Sequence, residues 1–234
     1  MKIITIFCGY GVYQKNYIDY VNNNFNLNEH KFIIIEKNKS SEYSEKNIIS
    51  VTPKELTTNF FLFKQEFSSC DKIIFNGFFY RSKITLLFHL LINNWKKVYW
   101  VIWGGDLYSA INNTSLNFHT YIQKRTFSKI DHHITLTSGD HELAKKQFNK
   151  KAILHKSFLP GSIDFDLLNK MEKRKTLSKK SINIQIGNSA NASNYHREIL
   201  DFLQKYNNQN IKIFCPLSYG NILYAETVIN IGRK

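Results

Sequence analysis

Short runs of β-branched and aromatic residues alternate with helix-forming segments along the first two thirds of this chain. That alternation restricts the fold more than any other feature. Lys2–Phe7 reads as a strand and Tyr17–Asn24 as the helix after it. Phe32–Glu36 is a second strand. A helical stretch, Phe60–Phe67, leads into a third strand at Lys72–Phe75, and the apolar helix Ile84–Asn93 leads into a fourth at Val98–Trp103. Phe118–Phe127 is helical, His133–Thr137 a fifth strand, His141–Phe148 a short helix and Ala152–His155 a last strand. Such alternation predicts a parallel, doubly wound α/β sheet.

Pro160-Gly161 breaks the pattern, and the charged stretch Lys170–Lys180 follows it. The pattern then restarts with a strand at Ser181–Ile186, a small-residue loop at Gly187–Ser193 and an amphipathic helix at His196–Tyr206. A strand at Ile211–Cys215 and a helix at Leu223–Ile231 close the chain. We therefore expect a Rossmann-like domain over 1–165, a linker over 166–180 and a partial second domain over 181–234. Two strand–helix units leave sheet edges uncovered, so this second domain reads as incomplete.

The 32 Lys and Arg against 18 Asp and Glu give a formal net charge of +14, which favours anionic partners such as sugar nucleotides, nucleic acid or an acidic membrane face. The lysines are scattered, and no nucleic-acid recognition motif stands among them, so nucleic acid is not the expected partner. Cys8, Cys70 and Cys215 are widely spaced and form no CxxC or Cys/His cluster; no metal site is expected, and a reducing compartment fits. The chain opens directly on a strand, with no signal-peptide pattern. The apolar stretch Ile84–Trp95 falls short of the roughly 20 residues that span a bilayer.

Three segments carry candidate chemistry. The apolar run Val98–Trp103 stops at Gly104-Gly105-Asp106, which puts Asp106 at the carboxyl end of a parallel strand, where open α/β sheets bind ligands. A helix-capping Asp is the competing reading. The loop Gly187-Asn188-Ser189-Ala190-Asn191-Ala192-Ser193-Asn194 joins a strand to a helix. Its small residues let backbone approach a ligand, and the unpaired N–H groups of the helix start suit a phosphate. His196, in the first turn, is expected near the mouth of that pocket, with Arg197 beside it. Capping by Ser193 or Asn194, with His196 exposed, is the alternative. Pro216-Leu217-Ser218-Tyr219-Gly220 ends the next strand, and Tyr219 suits stacking on a base or sugar. Arg81 after the third strand, His89, His132 and His133 read as solvated or structural residues, and Asp140 as an N-cap.

Taken together and in order, Trp103-Gly104-Gly105-Asp106-Leu107-Tyr108, Gly187-Asn188-Ser189 with Ser193-Asn194-Tyr195-His196, and Pro216–Gly220 resemble the bacterial lipid II:TDP-Fuc4NAc transferases of glycosyltransferase family 56. Fuc4NAc is 4-acetamido-4,6-dideoxy-galactose. The resemblance implies a GT-B fold, two Rossmann-like domains with an active site in the cleft between them. It implies a TDP-sugar donor, a polyprenyl-diphosphate-linked saccharide acceptor and work at the cytoplasmic face of the bacterial inner membrane as a peripheral protein. It implies no cofactor beyond the TDP-sugar co-substrate, because helix termini and basic side chains offset the leaving diphosphate.

On this resemblance Asp106 is the expected general base or acceptor-orienting residue, with Trp103, Gly104, Gly105 and Tyr108 on the acceptor side. Gly187, Asn188, Ser189, Ser193, His196, Pro216, Tyr219 and Gly220 are expected around the donor nucleotide diphosphate. Family members continue past the segment matching Asn230-Ile231-Gly232, which implies that the rest of the donor domain is missing here. A non-catalytic nucleotide- or partner-binding module is the alternative function.

Overall fold

The segment Ile3–Cys8 forms strand β1, and all its residues except Cys8 are buried. A strand covered on both faces needs a continuous apolar run rather than alternation, and Ile-Ile-Thr-Ile-Phe meets that need. β1 is central to a sheet whose other strands are β2 (His30–Ile35), β3 (Ile48–Val51), β4 (Lys72–Asn76), β5 (Val98–Val101), β6 (His132–Thr135) and β7 (Ile153–Lys156). The order is β3-β2-β1-β4-β5-β6-β7 and every pairing is parallel. Ile6 of β1 lies between Ile33 of β2 and Phe75 of β4, which sets the central register.

This computed structural model describes residues 1–37, 43, 45–80, 82–115, 117–157, 182–206, 209–217 and 219–232. The chain divides into two compact units, Met1–Asp164 and Phe165–Lys234. The expected linker at 166–180, the Pro160-Gly161 break, Arg81 and Ser218 lie outside the described residues.

Among the described residues, seven helices accompany the large sheet: α1 (Val12–Asn24), α2 (Pro53–Thr58), α3 (Phe60–Ser69), α4 (Ser82–Leu91), α5 (Gly105–Asn112), α6 (Phe118–Phe127) and α7 (Ser138–Gln147). The main core is rich in aromatic rings: Phe63, Phe67, Phe75, Phe78, Phe88, Trp100 and Phe127 are all buried in it. Trp100 of β5 stacks on Phe127 of α6 with ring centres 4.2 Å apart, fixing that helix to the sheet. A smaller cluster of Phe7, Ile18, Val21, Phe32 and Ile34 holds α1 on the other face.

In the second unit, β8 (Ile182–Gln185) pairs in parallel with β9 (Ile211–Phe214); α8 (His196–Leu203) follows β8 and α9 (Ile222–Gly232) follows β9. These strands carry mostly exposed residues, unlike β1.

The fold class is the expected α/β class, with a parallel sheet. Two elements depart from the sequence expectation. β3 and α2 are additional, and α2 carries a full capping box between Thr52 and Glu55 with Pro53 at its start. Boundaries also differ: α1 begins at Val12, ahead of the expected Tyr17, and β6 ends at Thr135. β5 ends at Val101, so Ile102 and Trp103 belong to the turn. α7 begins at Ser138, capped by the Thr137 side chain, so Asp140 sits inside the first turn and is not the cap.

Candidate active site

The strand order of the large sheet reverses between β1 and β4. From β1 the chain runs outward to β2 and β3, then returns to β4 on the opposite side. Side loops diverge at such a switch point, leaving a crevice outside the carboxyl ends of the strands. The loops there are Gly9–Gly11 after β1, Gly77–Tyr80 after β4 and Ile102–Gly104 after β5.

Aromatic rings line this rim. Trp103 donates from Nε1 to Asn76 Oδ1 at 2.8 Å, so the indole is fixed to the end of β4. Its ring meets Tyr13, from the first turn of α1, at 6.1 Å and 60°. Phe79 packs beside Trp103 over Gly77, where an added Cβ would come within 2.7 Å of the Phe79 ring. Tyr13, Phe79, Trp103 and Tyr108 all remain partly open to solvent. A row of exposed aromatics beside buried ones is a binding-surface pattern rather than a core pattern. Tyr13 and the Gly9–Gly11 turn are absent from the sequence expectation, although two glycines directly after a buried strand are a readable signal.

Asp106 is only 1% exposed. Its Oδ2 accepts from the Phe78 backbone N–H at 2.9 Å and from Trp100 Nε1 at 2.7 Å. Its Oδ1 accepts from the Trp103 N–H at 3.1 Å and the Leu107 N–H at 3.0 Å. Burial pushes the carboxyl above its usual range, while these four donors pull it back. This corrects the capping reading open at the sequence level. Gly104, not Asp106, is the N-cap of α5. A general base needs a lone pair facing substrate, and four donors fill the acceptor directions of a carboxylate. What Asp106 does is tie the loop after β4 to the loop after β5, holding Phe78 and Trp103 in place.

Tyr108 leans over Gly104 and donates its hydroxyl to Asp140 Oδ1 at 2.9 Å. The neighbouring carboxylate pushes the Tyr108 phenol above its ordinary range. A concavity of about 610 Å³, lined by Lys2, Asn22, His30, Lys31 and Asn47 among others, lies at the opposite, amino-terminal ends of the strands.

In the second unit the two expected donor motifs come together. Ala190 forms a parallel bridge with Gly220. The Ala190 N–H donates to the Tyr219 carbonyl at 2.7 Å, and the Asn221 N–H donates to the Ala190 carbonyl at 2.9 Å. Gly220 has φ +114, and a Cβ there would lie 2.5 Å from the Ala190 carbonyl oxygen, so only glycine allows this approach. Asn194 donates to the Ser189 carbonyl at 2.8 Å and to its hydroxyl at 3.1 Å, closing the small-residue loop. Ser193 donates its hydroxyl to Asn191 Oδ1 at 3.1 Å.

Tyr219 is exposed and Pro216 half-buried. Tyr195, in the left-handed region at φ 52, is the N-cap of α8, so neither Ser193 nor Asn194 caps that helix. His196 is fully buried and sits under Gly187, where a Cβ would approach Nε2 to 2.9 Å. Neither of its ring nitrogens has a hydrogen-bond partner. The imidazole therefore underlies the loop rather than standing at an open mouth. Asn188 Oδ1 accepts from the Ser189 hydroxyl at 3.3 Å.

Among the described residues, no group of three or more His, Cys, Asp or Glu side chains could hold a metal ion. No helix there is long and apolar enough to cross a membrane.

A parallel sheet with a loop-lined carboxyl rim, and a second unit whose strand-end loops join before a helix start, define a GT-B-like α/β protein. The chain belongs to the family described as 4-alpha-L-fucosyltransferase, glycosyl transferase group 56, which matches residues 8–234.

Solved structures of similar fold include UDP-N-acetylglucosamine 2-epimerase from Rickettsia bellii, with 13% identity and a TM-score of 0.48, covering 98% of this chain and 65% of that one. A trehalose-6-phosphate synthase studied with bisubstrate glycomimetics has 9% identity and a TM-score of 0.51, covering 100% of this chain and 68% of that one. A UDP-N-acetylglucosamine 2-epimerase structure from Listeria monocytogenes has 11% identity and a TM-score of 0.47, with 99% and 66% covered. The chain thus spans about two thirds of the length of these structures, and the likeness to the trehalose-6-phosphate synthase concerns the fold.

Proposed function

We propose that this protein transfers a deoxy-amino sugar of the Fuc4NAc type from a TDP-sugar to a polyprenyl-diphosphate-linked saccharide. The pathway would be surface polysaccharide synthesis of the enterobacterial common antigen or O-antigen type. Membership of the fucosyltransferase family supports sugar transfer itself. The observation that carries the donor half is the joining of Ala190, in the loop ahead of α8, to Tyr219, Gly220 and Asn221, ahead of α9. Backbone N–H groups at a helix start and a tight, small-residue loop suit a diphosphate.

In this reading the second unit holds the nucleotide diphosphate. Asn188, Ser189 and Ser193 line the loop, and His196 supports it from beneath. Tyr219, exposed next to Gly220, stacks on the base or sugar. Partial charge at the α8 start and the exposed Arg197 offset the charge of the leaving diphosphate, so the reading calls for no bound metal and no cofactor besides the TDP-sugar. The first unit faces the acceptor. The aromatic rim of Tyr13, Phe79 and Trp103 presents ring faces to the saccharide, and Asp106 orients that rim through Trp103 and Phe78. The net charge of +14 supports docking on the anionic cytoplasmic face of the inner membrane as a peripheral protein.

Calorimetric titration of the protein with TDP, UDP and GDP tests the donor half, followed by transfer from TDP-Fuc4NAc to a lipid-linked saccharide. Selective TDP binding with transfer is the expected result. Failure to bind any nucleotide would remove the donor argument. TDP binding without transfer to any lipid-linked acceptor would favour the non-catalytic nucleotide-binding module instead.

A further inference from the structure

Sugar transfer to a hydroxyl needs somewhere for the hydroxyl proton to go. Among the described residues, the carboxylates that follow the carboxyl ends of the sheet strands are few, and most are already engaged. Glu36, after β2, accepts from the Tyr43 hydroxyl and the Ser50 hydroxyl, each at 3.0 Å. Glu55 closes the capping box of α2 with Thr52. Asp106 is buried under four donors.

Asp140 differs. It lies in the first turn of α7, just past the end of β6, and β6 is the direct neighbour of β5. Its carboxylate is only half-buried. Oδ1 accepts the Tyr108 hydroxyl at 2.9 Å, and among the described residues no hydrogen bond engages the other oxygen. Tyr108 in turn leans over Gly104, one residue from the fixed Trp103 indole. An open carboxylate is thus held in one orientation at the edge of the aromatic rim.

We propose that Asp140 accepts the proton of the attacking acceptor hydroxyl and that Tyr108 is its positioning residue; this rests on the transferase reading above. In the step, the acceptor oxygen forms a bond to the anomeric carbon. The bond from that carbon to the phosphate oxygen breaks, and its electron pair leaves with the nucleoside diphosphate. The hydroxyl proton passes to the oxygen of Asp140 that Tyr108 leaves free. Tyr108 fixes the carboxylate rotamer without touching the reacting atoms.

The test uses the transfer assay on the wild-type protein and on Asp140→Ala and Tyr108→Phe, with nucleotide affinity measured alongside. Asp140→Ala is expected to lose about 100-fold or more in kcat while binding TDP as the wild type does. Added formate, a carboxylate small enough for the space vacated, restores at least about tenfold of that loss. Tyr108→Phe lowers kcat about threefold to tenfold with acceptor KM unchanged, the split expected of a group that acts on the transition state alone. Turnover of Asp140→Ala within about threefold of wild type would overturn the proposal, as would a loss that formate does not restore in a folded, TDP-binding variant. Absence of any transfer by the wild type would overturn the transferase reading itself, and this proposal with it.

Discussion

Exchanging Asp106 for asparagine turns one acceptor oxygen into an NH2 group that faces N–H donors. At least two of the four hydrogen bonds at this site are lost, and buried N–H groups are left without acceptors. Such losses cost about 2–4 kcal/mol in total. Asp106→Asn should therefore lower the urea midpoint clearly, and any fall in turnover should track the displaced Trp103 loop. An unchanged midpoint would refute the tie between the β4 and β5 loops. Gly220→Ala makes a similar point in the second unit. A Cβ there collides with the Ala190 carbonyl in a backbone conformation that alanine avoids, at a cost of about 1–3 kcal/mol. TDP affinity measured by calorimetry should fall about tenfold or more, because the loop pair must separate to admit the methyl. The chemical identity of these residues is legible in the sequence, since glycines and an aspartate at strand ends announce themselves. Their orientation is not. The motif Trp-Gly-Gly-Asp cannot reveal that Phe78, some 28 positions earlier, supplies one of the donors to Asp106.

Elements with a strong period are the ones the sequence announces. β1 and α6 fall within a residue of their expected bounds because continuous apolar runs and helical spacing are local properties. β3 is only four residues long and half-buried, so it lacks the apolar run that marks its neighbours. Helix α7 shows what an element can hide. It packs against β6, where His133 is fully buried with both ring nitrogens unpartnered and meets the buried His141 at 5.4 Å. Burial, aided by the neighbouring His141, holds His133 down to about 4 against an ordinary value of 6.5. The unfolded chain takes a proton on this residue below about pH 6.5, while the folded one refuses it until about pH 4. Stability is therefore complete above the unfolded value and falls as pH drops through that window, by about 3 kcal/mol from this residue. His89 and His155, also held low by burial, lean the same way. Thermal unfolding between pH 7 and pH 4 should show the loss, and His133→Leu should flatten it. A wild-type melting temperature that stays level across the window would refute this account.

At the scale of the whole chain, two α/β units and a strongly positive charge are both readable from the residues in order. The switch point is a property of strand order, which no local pattern records. For that reason Tyr13 and Gly9–Gly11 enter the candidate site only once β1 and β4 are seen side by side. Charge, by contrast, needs no topology. With +14 on 234 residues, attraction to an anionic bilayer is long-ranged at low salt and is screened to about 3 Å at 1 M. On the proposed reading, the protein should float with phosphatidylglycerol vesicles at low ionic strength and leave them near 1 M salt. It should ignore phosphatidylcholine vesicles throughout. Binding that persists at 1 M would shift the cause from the lysines to the exposed rings of the rim, since apolar burial strengthens rather than fades in salt. Indifference to vesicles of either kind would remove the membrane from the proposed function, leaving the acceptor to reach the rim of Tyr13, Phe79 and Trp103 from solution.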